Sequence, residues 1–217
     1  LPIASLTKLM TALIVVERTE PTDQVTVPEG LPGSSPEESR MGLRPGNVLQ
    51  VDGLVAGILI ASANDASNLL ARHISGSEDN FVKLMNERAK ALGLKDTDFD
   101  NPSGYGKGEN YSTARDLAIL SRAALAKPRI RELSNLRETI ITPVQGEPYP
   151  IANTNELLGG YLPIAGLKTG TSDTAGPCLI SVLPAGDRQL LAIVLNSPAR
   201  FQENKAMLDW ALRAYKW

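Results

Sequence analysis

The sequence predicts an α+β fold, an antiparallel sheet flanked by helices, with an all-helical subdomain inserted at about residues 50–130. Apolar residues recur at helical spacing, between helix caps, from the start of the chain to about Pro128. From Glu138 onward come β-branched and apolar runs of strand length. The chain then closes on an apolar and aromatic stretch suited to lie on that sheet as a helix.

Taken in order, Leu6, Leu9, Met10, Leu13 and Ile14 form one apolar stripe, and Pro2 and Pro21 bracket a helix over 5–18. The Pro-, Gly-, Ser- and Glu-rich stretch 28–39 is an exposed loop. Asp52 is placed to cap a short helix carrying Leu54, Val55, Ile58 and Leu59, ending near Ser62. Asp65 restarts a helix that runs to about Ile74, before Gly76. Ser77 caps the next, with Phe81, Leu84, Met85, Arg88 and Leu92 on successive turns and Gly93 as its stop. After a Gly-rich loop at 101–110, Thr113 and Asp116 resemble a capping box for a helix that stops at Pro128. Strands are expected at 138–142, 178–183 and 189–196, the last two as a hairpin around the turn 184–188. A final helix carries Ala206, Leu208, Trp210, Ala211, Leu212 and Tyr215.

Composition narrows the function. With 42% hydrophobic and 21% charged residues, 217 residues suffice for one sizeable core, so the whole chain is expected to be a single domain with a subdomain. A net charge of −2 without blocks of like charge offers no footing for nucleic acid or an anionic membrane surface. The longest apolar run, 54–63, is broken by Gly57 and is far short of the ~20 residues a bilayer requires. One cysteine, Cys178, permits no internal disulfide, and one histidine, His73, rules out a multi-histidine metal site. His73 sits at the polar edge of an apolar helix end, and no G-x-S-x-G elbow accompanies it.

Three short motifs carry chemistry, each with a plain structural alternative. In Ser5-Leu6-Thr7-Lys8 the amine shares a helix face with the hydroxyl, so a lysine of lowered pKa could take the serine proton. The helix N-terminus also aims N–H groups at Ser5, where an oxyanion would form. Alone, S-x-x-K arises about once per couple of hundred residues by composition, and a solvated lysine after a helix-start serine explains it equally. In Ser62-Ala63-Asn64 the serine can relay a proton to a leaving group and the amide can hold a carbonyl, yet both residue types also cap helices. Lys168-Thr169-Gly170, followed by Thr171, offers a charge, hydroxyls and room for a ligand backbone, or an ordinary strand-to-turn segment. Their order, with 57 residues from Ser5 to Ser62 and 106 from there to Lys168, is that of penicillin-recognising serine enzymes.

On these motifs the chain resembles the low-molecular-mass penicillin-binding proteins that act as D-alanyl-D-alanine carboxypeptidases. Further likeness lies in ASLTKLMTA at 4–12, MGLRPG at 41–46, SAND at 62–65, ALGL at 91–94, YSTARDLA at 111–118, NTNELL at 153–158 and GLKTGTSDTAG at 166–176. The resemblance implies a β-lactamase/transpeptidase-like fold and no cofactor. It implies that Ser5 is acylated by the penultimate D-Ala of a peptidoglycan pentapeptide, expelling the terminal D-Ala, with Lys8 as general base. Ser62 and Asn64 would form the helical side of the cleft, and Lys168, Thr169 and Gly170 the strand side. The N–H groups of Ser5 and Thr171 would form the oxyanion hole, and Arg200 would bind the terminal carboxylate. β-Lactams would be covalent inhibitors, and the location would be extracytoplasmic. Family members usually have early sheet strands before the S-x-x-K helix, and many carry a second β-rich domain and a membrane anchor. With four residues before Ser5 and the chain stopping at Trp217, those strands and any membrane attachment are expected to lie outside it.

Two alternatives compete. A class A β-lactamase would need a glutamate to activate the deacylating water, and the loop offers only Glu109 beside Asn110; its second motif would be S-D-N, where Ala63 stands here. Slow deacylation of penicillin is therefore expected. A non-catalytic peptidoglycan-binding module on the same fold is the other, and the intact motif residues oppose it.

Overall fold

The computed structural model describes residues 1–30, 38–106 and 110–215. The chain opens in a 3-10 turn, Ala4–Thr7, that runs straight into α1, Lys8–Arg18. Every residue of α1 from Lys8 to Val15 is buried, and α1 packs against each of the next five helices. Each of its large apolar side chains contributes about 1.5–3 kcal/mol on leaving water, so the site begins on the most firmly held helix.

Around α1 stand α2 (Val51–Leu59), α3 (Asn64–Ser75), α4 (Glu78–Leu92), α5 (Ala114–Leu125) and α6 (Pro128–Ser134). Caps close several of them as the sequence predicts. The side chain of Ser77 accepts from Asn80 N, and Thr113 accepts from Asp116 N. Gly76 and Gly93 take left-handed C-cap conformations. Other details differ. Gln50, not Asp52, is the boundary residue of α2, and Asp52 instead pairs with Arg129 at 3.0 Å. Asp116 turns to Asp96 N and Thr97 Oγ1 rather than closing a capping box. Pro128 does not merely stop a helix: it occupies the first turn of α6, where its missing N–H is no loss.

Among the described residues the strands form three antiparallel sheets. β1 (Gln24–Thr26) pairs with β2 (Val48–Gln50), and β3 (Glu138–Ile141) with β4 (Tyr149–Ala152). The main sheet runs β5 (Leu167–Gly170), β6 (Cys178–Ala185), β7 (Arg188–Val194). The β6–β7 hairpin closes tightly, with Ala185 opposite Arg188 and Gly186 at positive φ in the turn. The expected turn was longer because Pro184 reads as a breaker. Strand β6 holds it without loss because β5 pairs with β6 only as far as Ser181, so no β5 residue needs the missing N–H. The last helix, α7 (Arg200–Ala214), begins six residues earlier than its apolar stripe and packs on β6 and β7 through Leu208 and an Asn204 bond to Ala192 O. Among the described residues no helix is long and apolar enough to cross a membrane.

One apolar core joins the helices to the inner face of the sheet, and a smaller one lies under α7. Strand β5 packs directly on the 3-10 turn. The start of α1 is thereby wedged between helices and sheet.

Candidate active site

Ala4 is held at φ +45°, a conformation that L residues adopt at a cost, and the turn it starts lifts Ser5 into a half-exposed position. In a 3-10 turn residues i and i+3 eclipse, so Lys8 lies over Ser5 more directly than an α-helix would place it. The Lys8 side chain is fully buried, with Nζ 2.8 Å from Ser5 Oγ, 2.6 Å from Asn64 Oδ1 and 2.6 Å from Ser103 O. Burial first, and the nearby Lys168 charge second, hold its pKa well below the ordinary lysine value; Asp65 and Glu38 oppose them. A neutral amine has two hydrogens and one lone pair. Two of its three neighbours are carbonyl oxygens that can only accept, so in the neutral form the hydrogens would go to Asn64 and Ser103 and the lone pair would face the Ser5 hydroxyl.

The helical wall is a tight bend before α3. Ser62 is buried at φ +58°, and its hydroxyl makes no hydrogen bond with any described residue. Asn64, two residues on, donates its N–H to Ser39 O. The carboxylate of Asp65, the next residue, gathers the N–H groups of Met41, Gly42, Leu43 and Ala66 at 2.9–3.2 Å and so fixes the 41–43 segment against this wall. On the other side, the 101–106 loop brings Ser103 O to Lys8. Gly104 lies so close that a Cβ there would collide with the Ala4 carbonyl. Asn110 ties the loop down, donating to Thr7 Oγ1 and Asn101 O.

The strand wall is β5. Gly170 passes so near the turn that a Cβ would stand 3.1 Å from both Ile3 O and Ser5 N. Lys168 is 1% exposed and donates to Thr169 O. Burial, with the Arg200 charge as a second cause, brings its pKa down to about 7. Arg200, in the first turn of α7, donates from Nη1 to Gly170 O at 2.7 Å and to Thr171 Oγ1 at 2.5 Å, so two cationic side chains flank one strand end. The N–H groups of Ser5 and Thr171 meet no acceptor among the described residues. A cleft of about 590 Å³, lined by Ala4, Ser39, Gly104, Tyr105 and Thr171, opens over the turn.

Lys8 is thus in direct contact with both Ser5 and Asn64, with Ser62 in the same bend as Asn64. Thr169, Gly170, Thr171 and Arg200 gather along β5, with Lys168 beside them and acting electrostatically on Lys8. Sequence reasoning missed Ser103, whose contribution is a backbone carbonyl, and Thr154, whose hydroxyl lies 2.5 Å from that of Thr169. Glu109, weighed as a deacylating base, lies outside the described residues. His73 is exposed on the last turn of α3.

Fold and site define a class: an α+β protein with a serine–lysine pair set between a helical wall and a cationic strand. The chain belongs to the D-alanyl-D-alanine carboxypeptidase family, which it matches over residues 1–199. Among curated relatives, the D-alanyl-D-alanine carboxypeptidase DacF of Bacillus subtilis is 35% identical over 221 residues, covering 98% of this chain and 56% of its own length. The chain spans about half the length of the curated relatives it matches, 56% in that case. Among solved structures, a mutant of the Streptomyces K15 DD-transpeptidase superposes with a TM-score of 0.89 at 28% identity, covering 96% of this chain and 87% of that one. Penicillin-binding protein D2 of Listeria monocytogenes, in its ampicillin-bound form, gives 0.80 at 29% identity, covering 96% and 86%.

Proposed function

We propose that the protein is a serine D-alanyl-D-alanine carboxypeptidase that trims the terminal D-Ala from peptidoglycan pentapeptides, on the extracytoplasmic side of the bacterial membrane. The observation that carries this is the buried Lys8 Nζ, 2.8 Å from Ser5 Oγ and 2.6 Å from each of the Asn64 and Ser103 carbonyl oxygens. Lys8 takes the Ser5 proton as Oγ bonds to the penultimate D-Ala carbonyl carbon. The resulting oxyanion sits between the N–H groups of Ser5 and Thr171. The C–N bond then breaks, the Ser62 hydroxyl relays a proton from Lys8 to the leaving amine, and D-Ala departs. Water, deprotonated by the same lysine, cleaves the Ser5 ester and restores the hydroxyl.

Recognition falls to the strand wall. Lys168, Thr169, Thr171 and Arg200 present positive charge and hydroxyls to the terminal carboxylate, while Asn64 holds the acyl side. A β-lactam offers the same pair of features, a strained amide carbonyl and a carboxylate, and acylates Ser5 in the same way. The ampicillin-bound relative supports that extension. The test is D-Ala release from a diacyl-Lys-D-Ala-D-Ala peptide. Wild-type protein is expected to release D-Ala, and Ser5→Ala to release none above background. Absence of release by the folded wild-type protein would point instead to a binding module.

A further inference from the structure

Thr154 belongs to the tripeptide Asn153-Thr154-Asn155, which bridges the two walls of the cleft. Its N–H donates to Ile60 O at 3.2 Å, two residues before Ser62 on the helical side. Its hydroxyl lies 2.5 Å from Thr169 Oγ1 on the strand side. Both neighbours are locked. Asn153 donates from Nδ2 to Leu136 O at 2.8 Å and from its backbone to Arg137 O at 2.7 Å. Asn155 is buried and donates to Gly166 O, one residue before β5. The Thr154 hydroxyl is therefore delivered to Thr169 by a braced backbone, not by a wandering loop.

Between two hydroxyl oxygens at that distance lies one hydrogen. If Thr169 supplies it, Thr169 turns lone pairs toward the cleft and repels an anion. If Thr154 supplies it, the Thr169 hydrogen is free for a carboxylate, and the bond from Thr154 polarises it further. With Lys168 on β5 and Arg200 of α7 reaching the end of that strand, the cleft favours an anion, and that selects the second arrangement. We propose that Thr154 is a positioning residue that donates to Thr169 Oγ1 and thereby commits the Thr169 proton to the carboxylate of the substrate. Thr154 also ties that donor to the wall bearing Ser62, so the spacing of the two walls is set at the same point. The inference rests on the reading of β5 as the carboxylate-binding wall.

The experiment compares two serine-directed boronic acids that bond to Ser5 Oγ, one bearing a carboxylate at the position of the terminal D-Ala carboxylate and one lacking it. Wild-type protein is expected to bind the carboxylate compound more tightly. Thr154→Val is expected to remove about tenfold of that advantage, the scale of one hydrogen bond to a charged group, and to leave the carboxylate-free compound within about twofold. Thr154→Ser, which keeps the hydroxyl, is expected to retain the preference. Equal weakening of both compounds in Thr154→Val would make the residue merely structural and overturn the proposal, as would a preference left intact. Absence of any carboxylate preference in wild-type protein is a separate result: it removes the reading of β5, and the role of Thr154 falls with it.

Discussion

Lys8 and Lys168 are both buried amines, but the proposed mechanism gives them opposite tasks. Lys8 meets two carbonyl oxygens and a hydroxyl, so its neutral form has a partner for each hydrogen and for its lone pair. Lys168 donates to Thr169 O, and on the proposed mechanism it acts through its charge. Deprotonation serves the first and disables the second. The rate constant for acylation by benzylpenicillin at low concentration should therefore rise with pH as Lys8 loses its proton. It should fall again as pH rises through about 7, where Lys168 loses the charge that the proposed mechanism sets against the carboxylate. Lys168→Arg should carry the alkaline limb upward, because a guanidinium keeps its charge. An unmoved limb in that variant would deny Lys168 this role. At this scale the sequence was informative where chemistry resides in a side chain at fixed local spacing, as in Ser5 and Lys8. Silent were Ser103, which acts through its carbonyl, and Thr154, an unremarkable hydroxyl until folding sets it beside Thr169.

Elements were legible in proportion to how local their determinants are. Ser77, Thr113, Gly76 and Gly93 mark helix ends through contacts within a few residues, and they stand where the pattern puts them. Strands β1, β2 and β4 are three or four residues long and owe their form to distant partners, which no window of sequence contains. The sequence marks 101–110 only as a Gly-rich loop, but Gly104 is there because nothing larger fits against the Ala4 carbonyl. Gly104 and Gly93 both have positive φ, yet only Gly104 faces a collision. Gly93→Ala should destabilise by about 1 kcal/mol from backbone strain alone. Gly104→Ala should lose about 2–4 kcal/mol, strain and overpacking together, as read by urea unfolding. Equal losses would mean that the loop can move away from the turn.

At the scale of the molecule, three motifs separated by 57 and 106 residues meet because β5 packs on the turn that begins α1. That long-range contact is what the order of motifs encoded and what periodicity alone could not. Its consequence is a serine set between two walls, which the proposed mechanism divides into one that activates it and one that recognises the anion, with Gly170 close against the Ser5 N–H. Ala63 in the second motif, where a class A β-lactamase would carry aspartate, predicts that the acyl-enzyme forms readily and hydrolyses slowly. The measurement that tests this most directly is intact-protein mass over time after addition of benzylpenicillin, with Ser5→Ala alongside. A single penicilloyl adduct that persists on the wild-type protein and is missing from Ser5→Ala is the predicted result. An adduct that clears quickly while penicillin is consumed, or one that forms equally on Ser5→Ala, would contradict the account.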